Sequence, residues 1–115
     1  YLQEGGKFNV ARAGWSADYA DPENFLALNI STNVTFNYGK YKNEEYDALL
    51  KQSYEEQDPA KRMEILKKAE AILVNEQPIA PLMNSANLWL VSSRVAGWGD
   101  NPVNEHLSKF LSVSE

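Results

Sequence analysis

Three carboxylates stand close together at Asp18, Asp21 and Glu23, flanked by the rings of Trp15 and Tyr19. Read as catalytic groups, Asp18 and Glu23 are the pair that could act as acid and base on a glycosidic bond. Read as a calcium loop the segment fails, because the D-x-[DN]-x-[DN]-G spacing is absent. Asp21 has an ordinary structural use. With Pro22 after it, it reads as a helix cap plus first helical position, with Glu23 in the favourable first turn. Asp18 has no such use. It lies between Ala17 and Tyr19 with rings at 15 and 19, where a carboxylate is expensive to desolvate without a cation. Asp18 is therefore a candidate for contact with a ligand.

The aromatic residues Trp15, Tyr19, Trp89 and Trp98 are a heavy allotment for a chain of 115 residues. Trp89 is expected in the core. Trp15 and Trp98 have glycine neighbours in turn-like segments and suit the wall of a pocket. His106 has no catalytic partner pattern. It is also the single His, and Cys is absent, so neither a His-based metal cluster nor a cysteine nucleophile is available. No glycine-rich phosphate loop and no nucleophile elbow occurs, so the sequence implies neither an enzyme nor a cofactor. Asn29-Ile30-Ser31 and Asn33-Val34-Thr35 match glycosylation sequons, triplets common by chance. A net charge of −5 argues against nucleic acid, which needs clustered Lys and Arg. No apolar run approaches the roughly 20 residues that span a bilayer, and no signal-peptide pattern is present.

The elements that must position these residues follow from pattern and punctuation. Hydrophobic residues at 43% and charged ones at 23% are globular values, and one domain burying about two-thirds of its chain surface is expected at this length. Residues 8–13 alternate like a strand. A short helix with Phe25, Leu26 and Leu28 on its apolar face follows Pro22, and residues 29–42 read as a polar, flexible loop. Asn43 caps a helix carrying Tyr46, Leu49, Leu50 and Tyr54 on one face. Asp58-Pro59 opens a second, with Met63, Leu66, Ala69, Ile72 and Leu73 in a stripe and Lys61, Arg62, Glu64, Lys67, Lys68 and Glu70 mostly opposite. The two form a helical hairpin that ends before Pro78. Residues 79–83 are extended but proline-limited. Leu88-Trp89-Leu90-Val91 reads as a buried strand, residues 95–102 as turns, and residues 107–113 as a last strand. The expected architecture is mixed α/β in one unit, 1–115. The opening Tyr1-Leu2-Gln3, without an initiator Met, points to an excised piece or a processed product. Absence of Cys fits an exported bacterial protein.

From Gly14-Trp15-Ser16-Ala17-Asp18-Tyr19-Ala20-Asp21-Pro22-Glu23-Asn24-Phe25-Leu26 onward the sequence resembles the extracellular solute-binding proteins of oligopeptide and dipeptide ABC transporters. The likeness continues through Tyr41-Lys42-Asn43-Glu44-Glu45-Tyr46, Asp58-Pro59-Ala60-Lys61-Arg62 and Gln77-Pro78-Ile79-Ala80-Pro81-Leu82. It closes with Asn87-Leu88-Trp89-Leu90-Val91 and Val95-Ala96-Gly97-Trp98. The resemblance implies a C-terminal fragment, mostly from the second lobe of a two-lobed, periplasmic-binding-protein-like fold, with the helical hairpin packed on short strands. It further implies capture of an extended oligopeptide between the lobes, the aspartate of the Trp-x-x-Asp-Tyr segment, here Asp18, holding the α-amino group. Trp15, Ser16 and Tyr19 line the same stretch, whose backbone hydrogen-bonds the peptide; Ser16 stands where some relatives have Cys. The implied protein is a monomer that delivers peptide to permease subunits. It resides outside the cytoplasm, as a cell-surface lipoprotein or in the periplasm, with any membrane anchor outside this fragment. The same family takes other solutes, so an oligosaccharide stacked on Trp15, Tyr19 and Trp98 is the alternative ligand.

Overall fold

Two side chains start the two long helices. The computed structural model describes residues 8–101 and 104–114. In it, α2 (Glu44–Glu55) begins where the Asn43 side chain accepts the Tyr46 amide at 2.9 Å. α3 (Pro59–Glu76) begins where Asp58 Oδ1 accepts the Ala60 and Lys61 amides at 2.9 and 3.2 Å, with Pro59 supplying the preset φ of a first turn. α3 stops at Gln77, whose left-handed backbone (φ 51°, ψ 46°) turns its amide back onto the Leu73 carbonyl, one residue before Pro78. The helical hairpin read from the sequence is thus present with its expected caps.

The hairpin closes on a narrow apolar seam. Tyr46 and Leu50 from α2 meet Leu66, Ala69 and Leu73 from α3, and Leu26 joins them from α1 (Glu23–Leu26). Ile65 is buried as well, whereas Met63, expected on the stripe, stays partly exposed. Tyr46 is fully buried, so its hydroxyl requires a partner; it donates to the Leu26 carbonyl at 2.7 Å and ties α1 to α2. Its phenol is pushed up, chiefly by that burial.

The segment expected to be a flexible loop is held by its own asparagines. A 3-10 turn, Ala27–Asn29, extends α1. Asn33 donates to the Ala27 carbonyl at 3.0 Å, and buried Asn37 both donates to and accepts from the Tyr41 backbone, each at 2.8 Å. Asp47 accepts from the Ser31 amide at 3.1 Å and from its hydroxyl. Asn side chains here supply the hydrogen bonds that a helix or sheet would otherwise give the backbone. Both sequon asparagines are consumed in this way or buried: Asn29 is only 7% exposed.

The remaining strand expectations need correction. Residues 8–13 have no regular structure, and neither do residues 79–91. Leu88 and Leu90 are 93% and 104% exposed, and Trp89, expected in the core, is 57% exposed. Residues apolar on both faces are a strand only where neighbours pair both edges and cover both faces. Among the described residues none do, and Pro78 and Pro81 withdraw two donors at its start. Pairing appears further on, where a turn was expected: β1 (Val95–Ala96) is antiparallel to β2 (Ser112–Val113), Val95 opposite Val113. Of the last strand expected over residues 107–113, only β2 (Ser112–Val113) forms; a 3-10 turn, Ser108–Phe110, precedes it. The turn expected over residues 95–102 ends at Pro102, which lies outside the described residues. The principal packing is of α2 on α3 and α1 on α3, rather than of the hairpin on the strands.

The surface reflects this division. The chain exposes 9350 Å², against about 6,300 Å² for a compact monomer of its mass. Its radius of gyration is 18.2 Å, where about 13 Å is expected for a compact domain of this length. The expectation that two-thirds of the chain surface is buried fails for that reason: the core is confined to residues 26–73.

Candidate functional site

The three carboxylates, Trp15 and Tyr19 lie on α1 and the turn before it, and Asp21, Glu23, Trp15 and Tyr19 each have a side-chain partner. Asp21 faces Arg62 of α3 in a two-pronged ion pair, Nη1 to Oδ2 at 2.6 Å and Nη2 to Oδ1 at 3.2 Å. Asp21 Oδ1 also accepts the Glu23 amide at 2.9 Å, but the N-cap position of α1 falls at Pro22, one residue later than expected. The Arg62 guanidinium holds the Asp21 carboxyl below the usual carboxylate range, its hydrogen bonds outweighing the opposing effect of burial. Arg62 Nε donates in addition to the Ser53 carbonyl at 3.1 Å, so one side chain joins the turn, α2 and α3.

Glu23 is buried at 7% exposure and satisfied from both sides. Tyr19 donates to Oε2 at 2.6 Å and Tyr54 to Oε1 at 2.8 Å. Accepting these bonds makes Glu23 stabilise the protonated phenols. Tyr19 is pushed up chiefly by the bond itself, Tyr54 first by burial and then by the bond. Both oxygens of this buried carboxylate are already taken by phenol donors, so neither is presented at the surface beside Asp18. The acid–base reading of Asp18 with Glu23 loses its second member.

Asn24, also buried, holds the segment that precedes α1. Its Oδ1 accepts from Trp15 Nε1 at 2.7 Å and from the Asp18 amide at 3.2 Å. The Trp15 ring meets Phe36 edge-on at 4.8 Å between centroids. Ser16 is exposed, and Tyr19 is 48% exposed above its bond to Glu23. The carboxylate of Asp18 is exposed and has no hydrogen-bond or ion-pair partner among the described residues. The rings at 15 and 19 do not desolvate it within this chain, contrary to the expected enclosure. Trp15, Ser16, Asp18 and Tyr19 therefore share one short surface segment stapled to α1.

The other aromatic group is built separately. Trp98 stacks on His106 at 3.7 Å and 13°, and Trp89 meets both edge-on at 5.4 and 5.9 Å. Asn104 Oδ1 accepts Trp89 Nε1 at 2.9 Å and lies 3.1 Å from His106 Nε2. No ring contact among the described residues joins this group to Trp15 or Tyr19, and one face of Trp98 is already covered by the imidazole.

Sequence reasoning missed two residues here. Arg62 was assigned to a solvated helix face, and nothing in helical periodicity separates it from Lys61 or Lys68. Asn24 carried no signal beyond its place in the motif, since which donors meet a side-chain amide is decided by the turn before it.

Curated relatives match this chain over most of its length. The oligopeptide-binding protein OppA of Bacillus subtilis is 39% identical over 90 residues, covering 78% of this chain and 16% of the relative. The periplasmic oligopeptide-binding protein OppA of Escherichia coli is 36% identical over 109 residues, 94% of this chain and 20% of the relative. The dipeptide-binding protein DppE of Bacillus subtilis is 35% identical over 101 residues, 88% and 18% of the two. No family model matches the chain. The chain is similar to these oligopeptide- and dipeptide-binding proteins over most of its own length, and it spans about a fifth of the length of the curated relatives it matches. These relatives are named for binding, not for catalysis. No helix among the described residues is long and apolar enough to cross a membrane.

Proposed function

We propose that this chain is part of the ligand-binding face of a peptide-capturing solute-binding protein, with Asp18 receiving the α-amino group of an extended peptide. One observation carries the reading. Of the three carboxylates in the segment, Asp21 is committed to Arg62 and Glu23 to two tyrosines, which leaves Asp18 as the acidic group open to a cation from outside. The printed names of the relatives supply the ligand class, since those proteins bind oligopeptides and dipeptides. Trp15 and Ser16 present the adjoining backbone, which suits main-chain pairing with an extended ligand.

In this reading the segment belongs to the second of two lobes that close over the peptide by a hinge. The whole protein is a monomer working outside the cytoplasm, lipid-anchored or periplasmic, and hands its peptide to an ABC permease. An oligosaccharide ligand is less well served: Trp98 is stacked on His106 and lies in a different aromatic group from Trp15 and Tyr19.

The test uses a full-length protein carrying this chain. Asp18→Ala is expected to weaken binding of free-amino peptides by about 2–5 kcal/mol, the typical cost of removing one partner of an enclosed charged pair. N-acetylated peptides should lose far less. Equal losses for both in calorimetry refute the assignment of Asp18.

A further inference from the structure

We propose that Asn24 is the positioning residue of this site, setting the direction of the Asp18 carboxylate without touching the ligand. This rests on the reading of Asp18 given above. The geometry is a staple. A single side-chain oxygen, on a residue 6% exposed, takes the indole N–H of Trp15 at 2.7 Å and the backbone amide of Asp18 at 3.2 Å. An amide oxygen has two acceptor sites, and both are used. The two donors lie at the ends of Trp15-Ser16-Ala17-Asp18, so one atom closes the loop that carries three of the candidate ligand contacts.

The anchor beneath the staple is fixed in turn. Asn24 lies on a helix of only four residues, which has little stability of its own. That helix is held by the Asp21–Arg62 pair, by the two tyrosines on Glu23 and by the Tyr46 hydroxyl on the Leu26 carbonyl. The cross-element bonds around α1 therefore lead through Asn24 to the ligand segment. Without the staple, Asp18 must be ordered at the moment of binding. A preorganised segment avoids that loss.

The readout is the ratio of affinities for a free-amino tripeptide and its N-acetylated form, measured by calorimetry on a full-length protein carrying this chain. Asn24→Leu removes the acceptor at similar volume. It should cut the ratio about tenfold, the scale of ordering one residue's backbone. Asn24→Asp keeps the acceptor and the shape but adds a charge in a buried position; it should retain more of the ratio than Asn24→Leu even where it is the less stable of the two, which a loss of packing does not predict. In an Asp18→Ala background Asn24→Leu should leave the ratio where Asp18→Ala has put it. Where Asn24→Leu does not fold, Asn24→Ala is read by the same criteria. If Asp18→Ala lowers the ratio but Asn24→Leu leaves it unchanged, or lowers it equally without Asp18, or Asn24→Asp loses as much as Asn24→Leu, the positioning role is wrong and the Asp18 reading stands. If Asp18→Ala itself leaves the ratio unchanged, the underlying reading fails and the staple has nothing to position.

Discussion

Removing Arg62 should loosen the turn before α1 from the helical hairpin. Its two nitrogens on Asp21 form an ion pair with side chains 26% and 29% exposed, and its third donor reaches the Ser53 carbonyl. A partly exposed pair contributes about 0.5–1 kcal/mol, because water competes for both charges. The bond to Ser53 adds about 1 kcal/mol. Arg62→Met keeps most of the aliphatic stem, so the expected loss is about 1.5–2 kcal/mol with little packing penalty. Asp21→Asn removes the charge but keeps an acceptor for the Glu23 amide, and its loss should stay near 1 kcal/mol. Urea unfolding of both single variants and the double variant, in a full-length protein carrying the chain, yields the coupling between them, expected at about 0.5–1 kcal/mol.

The same pair predicts an acid dependence. Arg62 lowers the folded-state pKa of Asp21, so the unfolded chain takes up the proton first as pH falls. The contribution of the pair is whole above the unfolded value of about 3.9 and is lost as pH falls through the lower folded value. The stability difference between the parent and Arg62→Met should therefore shrink on acidification, towards the part due to Ser53. A coupling indistinguishable from zero at neutral pH, or a difference that grows below pH 4, refutes the account of Arg62 as the tie between α3 and the turn.

Two further changes probe the frame around the site. Tyr46→Phe removes only the hydroxyl that donates to the Leu26 carbonyl at 2.7 Å in a fully buried position. It should cost about 1–2 kcal/mol in chemical unfolding, more than Tyr54→Phe at a half-exposed ring, and equal losses contradict the ranking. Gly97→Ala adds a Cβ only 2.0 Å from the Phe110 carbonyl oxygen, at a backbone with φ of +86°. The turn must open, so amide exchange at Ser114, which bonds the Arg94 carbonyl, should lose its protection; retained protection contradicts the close approach.

How much of this was legible in the sequence depends on how local the cause is. Asn43 and Asp58-Pro59 mark helix starts through bonds to amides two or three residues on, and both starts stand where the sequence places them. The seam of Tyr46, Leu50, Leu66, Ala69 and Leu73 follows from helical spacing alone. Leu88-Trp89-Leu90-Val91 failed because its burial depends on strands and faces that lie elsewhere in sequence, and apolar character records only a requirement for cover. The loop at 29–42 failed in the opposite sense. Its asparagines read as punctuation, yet they bond the backbone and hold it. Residue type singles out Asp18, Trp15 and Tyr19 only as candidates, while Arg62 and Asn24 bond across 41 and 9 residues of chain, distances at which pattern is silent.

The exposure of Asp18 decides where binding energy has to arise. A carboxylate in water gains little from an ammonium, since the attraction is screened and both groups surrender hydration; about 0–1 kcal/mol is the range for exposed pairs. The staple through Asn24 lowers the cost of ordering but leaves that dielectric unchanged. A loss of 2–5 kcal/mol on Asp18→Ala therefore requires something to exclude water from the carboxylate when peptide is bound. The rings at 15 and 19 do not do so in this chain, one turned edge-on to Phe36 and the other half-exposed over Glu23. Enclosure must come from the peptide and from whatever closes over it. The chain by itself should consequently bind free-amino peptides only weakly, with a strong salt dependence. Micromolar, salt-insensitive binding by the isolated 115-residue chain would show that Asp18 is already desolvated without a second lobe, and closure would then be unnecessary to the mechanism.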